Sequence, residues 1–224
     1  MLPPAAFREG SLARALAGST DCRLPCWLGI DMGASTEEDV HAWLDSLGLT
    51  SRLVIEQQSD TGFIMRANNV NPGNVWAHQV QYMYLTVHRS RAAMMGLYGV
   101  RLPGEPAEEI QGLVMLLGVP EAILLDPALG EDALGYSLRL VYPSRGLEVQ
   151  FSGVADQAEV EGKVQDALCL ARHRELEASV LIYDRTYHLL SASDMNWDWA
   201  KRFGVDETEL LSWMLDPERC LPVP

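Results

Sequence analysis

The sequence predicts an α+β protein: two tandem units, each a helix packed on an antiparallel sheet, followed by a helical C-terminal tail. Three observations carry this. A capped amphipathic helix is written into Ser35–Leu47, and a second into Pro106–Leu117. Their apolar faces match at a constant offset of 70 residues, Val40, Trp43, Leu44 and Leu47 against Ile110, Leu113, Val114 and Leu117. Each helix is followed by short strand-like stretches broken by turn residues, the mark of hairpin connections. The offset exceeds the period of solenoid repeats, so the expectation is one duplicated fold unit. The expected division is an N-terminal segment and cysteine loop over 1–34, units over 35–103 and 104–190, and a tail over 191–224.

Residues 1–21 are rich in Ala and Pro. Phe7, Leu12 and Leu16 can line one side of a short helix, which Gly10 weakens, so a loosely docked segment is expected. Residues 22–34 read as an ordered loop, with Trp27 and Ile30 packing and Gly29 and Gly33 turning the chain. For the first helix, Ser35 is the expected N-cap, with Glu38 at the capping-box position. Glu37, Glu38 and Asp39 suit the helix dipole. Gly48 suits a left-handed stop. Strands are expected at Arg52–Gln58, Gly62–Asn68, Val75–His88 and Ala93–Leu102. Asn71–Asn74 and Ser90-Arg91 are the expected turns.

Leu102-Pro103-Gly104 is the expected join between units. Pro106 suits the first helical position, and Gly118 closes the helix. Strands follow at Ala122–Asp126, Tyr136–Tyr142 and Leu147–Phe151, the last two flanking Pro143–Gly146. Val164–Leu170 and Val180–Tyr183 complete the second sheet. In the tail, Trp199 and Phe203 share a helix face. Asp206 can cap a further helix with Leu210, Leu211, Trp213 and Met214 apolar, ended at Asp216-Pro217. Its tryptophans imply that the tail docks on the body.

The chain has 224 residues and a formal net charge of −14, from 17 basic and 31 acidic side chains. With no basic cluster, this opposes binding to nucleic acid or to anionic lipid. No apolar run approaches the ~20 residues of a membrane span, so no transmembrane segment is expected. Of the four cysteines, Cys22 and Cys26 lie near the start and Cys220 near the end, with Cys169 the fourth, an even count that suits disulfides in an oxidising compartment. Three pairings are open. Pro25 stiffens the short Cys22–Cys26 loop, which favours each reaching a distant partner. Free buried thiols and a zinc site are the alternatives, though the spacing lacks the second close pair that zinc prefers. Residues 1–21 show no basic-then-apolar leader, and Ser-Thr-Asp before Cys22 is not a lipobox. An exported protein would have lost its leader, whereas a native Met1 would mean a cytoplasmic protein.

No catalytic, metal or cofactor site is expected. His41, His78, His88, His173 and His188 form no metalloprotease motif. His41 lies off the buried helix stripe, and His78 and His88 make at most a weak metal pair. Nucleophile-elbow, phosphate-loop and dinucleotide motifs are absent. The carboxylates of Glu37–Asp39 and Glu108-Glu109 are explained by helix starts. Asp194, Asp198, Asp206 and Glu207 lack a calcium-loop pattern. The aromatics are more informative. Tyr82 and Tyr84 share a strand face and Trp76 shares their parity, while Tyr98, Tyr136 and Tyr142 fall on other strands. Most should pack within the sheets. An exposed aromatic face would instead anchor a protein partner, and Trp76, Tyr82, Tyr84 and Tyr136 are the candidates.

Two resemblances follow from these segments. Cys22–Gly48, CRLPCWLGIDMGASTEEDVHAWLDSLG, resembles a stretch near the start of exported, uncharacterised bacterial proteins with the pattern C-x-LPCW-x-GI-x-x-G-x-(S/T). That resemblance implies export and disulfides, and no known activity. A capped helix, Leu-Gly and then antiparallel strands is similar to the units of the beta-lactamase-inhibitory protein, which holds two in tandem, and of small outer-membrane assembly lipoproteins. The present chain departs from both in its long tail and in lacking a lipidated cysteine. This second resemblance implies an extracytoplasmic, non-enzymatic protein-binding or assembly module, of which an inhibitor of a secreted enzyme is one version. An enzyme with an unrecognised site and a structural cell-envelope component are the alternatives.

Overall fold

The computed structural model describes residues 12–17, 24–49, 53–59, 62–70, 80–101, 106–129, 134–154, 156–160, 163–169, 177–186, 207–216 and 219–222. In chain order these form α1 (Leu12–Ala17), β1 (Cys26–Trp27), β2 (Ile30–Asp31), α2 (Glu37–Ser46), β3 (Leu53–Ser59), β4 (Gly62–Val70), β5 (Val80–His88) and β6 (Arg91–Arg101). Then come α3 (Pro106–Leu117), β7 (Ala122–Leu129), β8 (Leu134–Tyr142), a 3-10 turn (Pro143–Arg145), β9 (Leu147–Val154), β10 (Asp156–Val160) and β11 (Lys163–Cys169). Last are β12 (Glu177–Tyr183), α4 (Glu207–Leu215) and β13 (Cys220–Pro222). The expected turn at Asn71–Asn74, the join at Leu102–Gly104, and Trp199, Phe203 and Asp206 lie outside the described residues.

The first helix starts one residue later than the sequence suggested. Thr36 is the N-cap, and its hydroxyl accepts the Asp39 N–H while the Asp39 carboxylate accepts the Thr36 N–H. Ser35 is diverted because its hydroxyl accepts the Asp31 N–H at 2.9 Å. The two Thr36 bonds hold the Asp39 carboxyl below its usual range. Both helices stop as expected, with Gly48 and Gly118 at positive φ.

Two expected sheets are one. Eight antiparallel strands run in the order β3-β4-β5-β6-β12-β9-β8-β7. The seam is β6 against β12, with Val180 opposite Leu97 and Ile182 opposite Met95. Alternation then sorts side chains by face. Met83, Leu85, Met95 and Leu97 on one side of the seam and Val149, Phe151, Leu138 and Leu140 on the other are buried. They share one core with Leu12, Val40, Leu44, Ile110, Leu113, Leu210 and Trp213 from the four helices. A large apolar side chain buried this way stabilises by about 1.5–3 kcal/mol. Val80, expected to share the parity of Tyr82 and Tyr84, is buried instead. The ladder with β6 closes at Tyr82–Tyr98, and Gly99 turns left-handed against the Gln81 side chain.

Three further expectations are corrected. The N-terminal segment is not loose at residues 12–17, since Leu12, Ala13 and Leu16 are buried and α1 lies against α3. The Lys163–Cys169 strand does not join the main sheet. It pairs with β10 and β13 in a three-stranded sheet, with Cys169 directly opposite Cys220. The segment after α4 is therefore a strand. α4 itself docks as expected: Leu210, Trp213 and Met214 are buried, and the Trp213 indole N–H donates to the Leu168 carbonyl at 3.0 Å.

The β5–β6 hairpin turns at Arg89-Ser90, not Ser90-Arg91, and both residues sit at positive φ, 51° and 59°. This is the signature of a type I′ turn, which favours Asn-Gly. A left-handed conformation costs a non-glycine residue about 1–2 kcal/mol. The tip is held by the Glu37 N–H donating to the Ser90 carbonyl and the Ala92 N–H to the Ser35 carbonyl, with the Arg91 guanidinium donating to the Ala34 carbonyl at 3.1 Å. The pair Arg89→Asn, Ser90→Gly is therefore expected to raise stability by about 1 kcal/mol. A guanidinium midpoint that stays put would refute the strain argument.

Candidate partner-binding face

The outward-facing side chains Tyr82, Tyr84 and Thr86 of β5 are partly exposed. Across β4, β5 and β6 the register stacks Asn68, Tyr82 and Tyr98 in one row and Arg66, Tyr84 and Gly96 in the next. Three phenols thus converge. Tyr82 and Tyr98 stack at 5.0 Å between ring centroids, and Tyr84 meets them edge-on at 5.5 and 5.7 Å. Gly96 makes room for this: a Cβ there would sit 2.6 Å from the Tyr98 ring. Offset and edge-on pairs are the preferred aromatic geometries, each contributing about 0.5–1.5 kcal/mol beyond burial. Burial, and then the neighbouring Tyr82 and Tyr84 phenols, push the Tyr98 hydroxyl up, so it stays a neutral donor.

Arg66 closes the cluster on the β3 side. Its guanidinium carbon lies 6.0 Å from the Tyr82 ring centroid, its Nη1 is 2.9 Å from Glu56, and its Nε donates to Asn68 at 3.0 Å. The Tyr84 side chain is the main influence that raises its affinity for the proton. Glu56 reaches Arg66 because the β3 register shifts between Ile55 and Gln57. Beyond the seam the same face carries Leu181, Glu148 and Arg139, the last two 3.7 Å apart. Tyr183, at the end of β12, is held up to about 12 by burial, with Glu148 and Glu121 adding to it.

The expected aromatic set is thus revised. Tyr82 and Tyr84 are on the open face. Trp76 lies outside the described residues. Tyr136 is on the opposite face, 1% exposed, with its ring against Gly153. The alternation in Tyr-Ser-Leu-Arg-Leu-Val-Tyr, residues 136–142, groups Tyr136 and Tyr142 with Leu138 and Leu140 and places all four inward. Tyr98 is the member that sequence reasoning did not join to Tyr82. Its signal is hairpin register about Arg89-Ser90, but the bulge between Thr86 and Val87 moves each partner by one residue.

The remaining candidates fall as follows. Cys169 and Cys220 form a disulfide. Cys26 is also disulfide-bonded. Since Cys169 and Cys220 hold each other, the expectation that Cys26 reaches one of them is overturned; Pro25 does not keep it from another partner. Cys22 lies outside the described residues, as do His78, His173 and His188. His41 is a surface residue 3.9 Å from Glu37. Among the described residues no three His, Cys, Asp or Glu side chains converge as a metal site. Among them, too, no helix is long and apolar enough to cross a membrane. Glu109 is not merely a helix-start residue. It is 4% exposed and accepts the Leu12 N–H at 2.8 Å.

Phenols stacked beside a guanidinium on an open sheet supply contact area, hydrogen-bond donors and a cation, but no nucleophile with an adjacent base. The chain matches no family model, no curated protein and no solved structure.

Proposed function

We propose that this chain is an extracytoplasmic, non-enzymatic protein-binding module that engages its partner through the open face of the eight-stranded sheet. The observation that carries this reading is the cluster of Tyr82, Tyr84 and Tyr98 beside Arg66. Tyr and Arg are over-represented among residues that dominate binding energy. Tyr offers a large contact area at low entropic cost, because it has two side-chain torsions. Eight strands at about 4.8 Å spacing give a face about 34 Å wide. That suits a partner footprint of about 800 Å². The Cys169–Cys220 disulfide supports an oxidising compartment.

The strand order supports a duplication of 35–103 and 104–190. Reading outward from the seam, β6-β5-β4-β3 faces β12-β9-β8-β7, each set preceded in sequence by a capped helix. The resemblance to tandem inhibitory units gives the same reading, with an inhibitor of a secreted enzyme as one form of it.

The test is a photo-crosslinking amino acid placed at Thr86, beside the cluster, in the full chain exposed to the envelope fraction of its source cells. A discrete adduct is expected, competed by unlabelled native chain. The Tyr82→Ala, Tyr98→Ala double variant, with unchanged thermal melting, should compete about 30-fold more weakly, the effect of a 2 kcal/mol anchor. Equal competition by that variant would remove the face from the interaction.

A further inference from the structure

A second site lies away from the tyrosine face, at the end of the helical layer. α1, the turn at Leu24, the last turn of α3 and the β8–β9 connection border an open cavity of about 510 Å³. That is within the ~300–1,000 Å³ of small-molecule sites. Its described lining divides by chemistry. Leu16, Leu24, Leu116 and Leu117 are its apolar part, and Ser144, Arg145 and Arg185 its polar part.

The arginines are the unusual part. Arg185 donates to the Leu24 carbonyl at 2.8 Å, and among the described residues neither it nor Arg145 has a carboxylate partner. The chain carries 31 acidic side chains against 17 basic ones, so cations left without carboxylates are not a by-product of surplus. Glu121, the nearby acid, is turned to Ser144, accepting its backbone N–H at 3.0 Å and its hydroxyl at 2.5 Å. Two guanidiniums and four leucines lining one cavity are complementary to one kind of small ligand. Arg recognises carboxylate and phosphate through paired N–H donors, and the leucines take an alkyl chain.

We propose that this cavity binds a single-chain amphiphile with an anionic head, the head on Arg145 and Arg185 and the chain across Leu16, Leu24, Leu116 and Leu117. The carbonyls at the end of α3 would suit a cationic head instead, so head charge is the discriminating variable.

The experiment is calorimetric titration of the disulfide-intact full chain with dodecanoate, dodecyl phosphate, octanoate and dodecyltrimethylammonium, each below its micelle concentration. Dodecanoate or dodecyl phosphate should bind one per chain, the tighter of the two identifying the head as carboxylate or phosphate. Octanoate should bind at least tenfold more weakly than dodecanoate, since a fully buried methylene is worth about fourfold. Dodecyltrimethylammonium should not compete. Arg145→Gln, at an exposed side chain, should weaken binding about tenfold with no change in thermal melting. No binding by either anion, equal binding by the cationic surfactant, several ligands per chain, or an Arg145→Gln variant that binds like the native chain would each overturn the proposal.

Discussion

Replacing Cys169 and Cys220 together with alanine is expected to lower the unfolding free energy by about 4 kcal/mol, the chain-entropy value for a loop of this size. The bond spans 51 residues of sequence and joins directly opposed positions on β11 and β13, with Cα atoms 4.4 Å apart. Its ends sit in a small buried cluster with Ala167. β13 is 3 residues long, too short to hold the chain's end by pairing alone. The double variant is the right probe, because a reductant would also open the disulfide at Cys26. Guanidinium unfolding measures the loss. Hydrogen exchange should place it first at Leu168 and Leu221, beside α4. A loss under 1 kcal/mol would mean that packing of Leu210, Trp213 and Met214 already fixes the end of the chain.

The second large effect is a stability that rises on mild acidification. Burial raises the Glu109 carboxyl to about 7, well above the ordinary carboxylate range, the Leu12 N–H opposing this and Glu108 adding to it. The folded chain therefore holds this proton more tightly than the unfolded chain. Its contribution is fully present below pH ~4.5 and is lost as pH rises through about 7. The difference across that window is on the order of 3 kcal/mol. Carboxylates held low, such as Asp39, act with the opposite sign and at lower pH. Unfolding free energies from pH 5 to 8 should therefore fall with pH in the native chain. They should stay flatter in Glu109→Gln, whose amide oxygen can still accept the Leu12 N–H. Parallel profiles for the two proteins would show that Glu109 is not the titrating group.

What the sequence made legible was local. Caps, turn glycines and 3.6-residue periodicity placed α2 and α3 within one or two residues, because those signals act over a single turn of chain. The error at Ser35 arose because two adjacent hydroxyls could cap, and the loop at Asp31 claimed one of them. The strand alternation was also legible, and Tyr136 was misplaced by weighing residue type above parity. Long-range pairing was not legible. Nothing near Val180 says that it lies against Leu97, or that Lys163–Cys169 leaves the main sheet to meet β13. The expected strand stopped at Asp126, yet β7 runs on through Pro127, opposite Tyr136. A proline is tolerated there because β7 is an edge strand among the described residues. The tyrosine cluster was half legible for the same reason: Tyr82 and Tyr84 are two apart in sequence, whereas Tyr98 depends on a bulged hairpin.

The placement of β12 bears on the order in which the molecule can be made. It is the last strand of the main sheet to leave the ribosome, yet it occupies the middle. Until residues 177–183 emerge, β6 and β9 lack the strand that lies between them in the folded sheet, and a bare strand border is a template for pairing with another chain. A strand that comes latest in the sheet's sequence order and sits between β6 and β9 thus covers two strand borders at once.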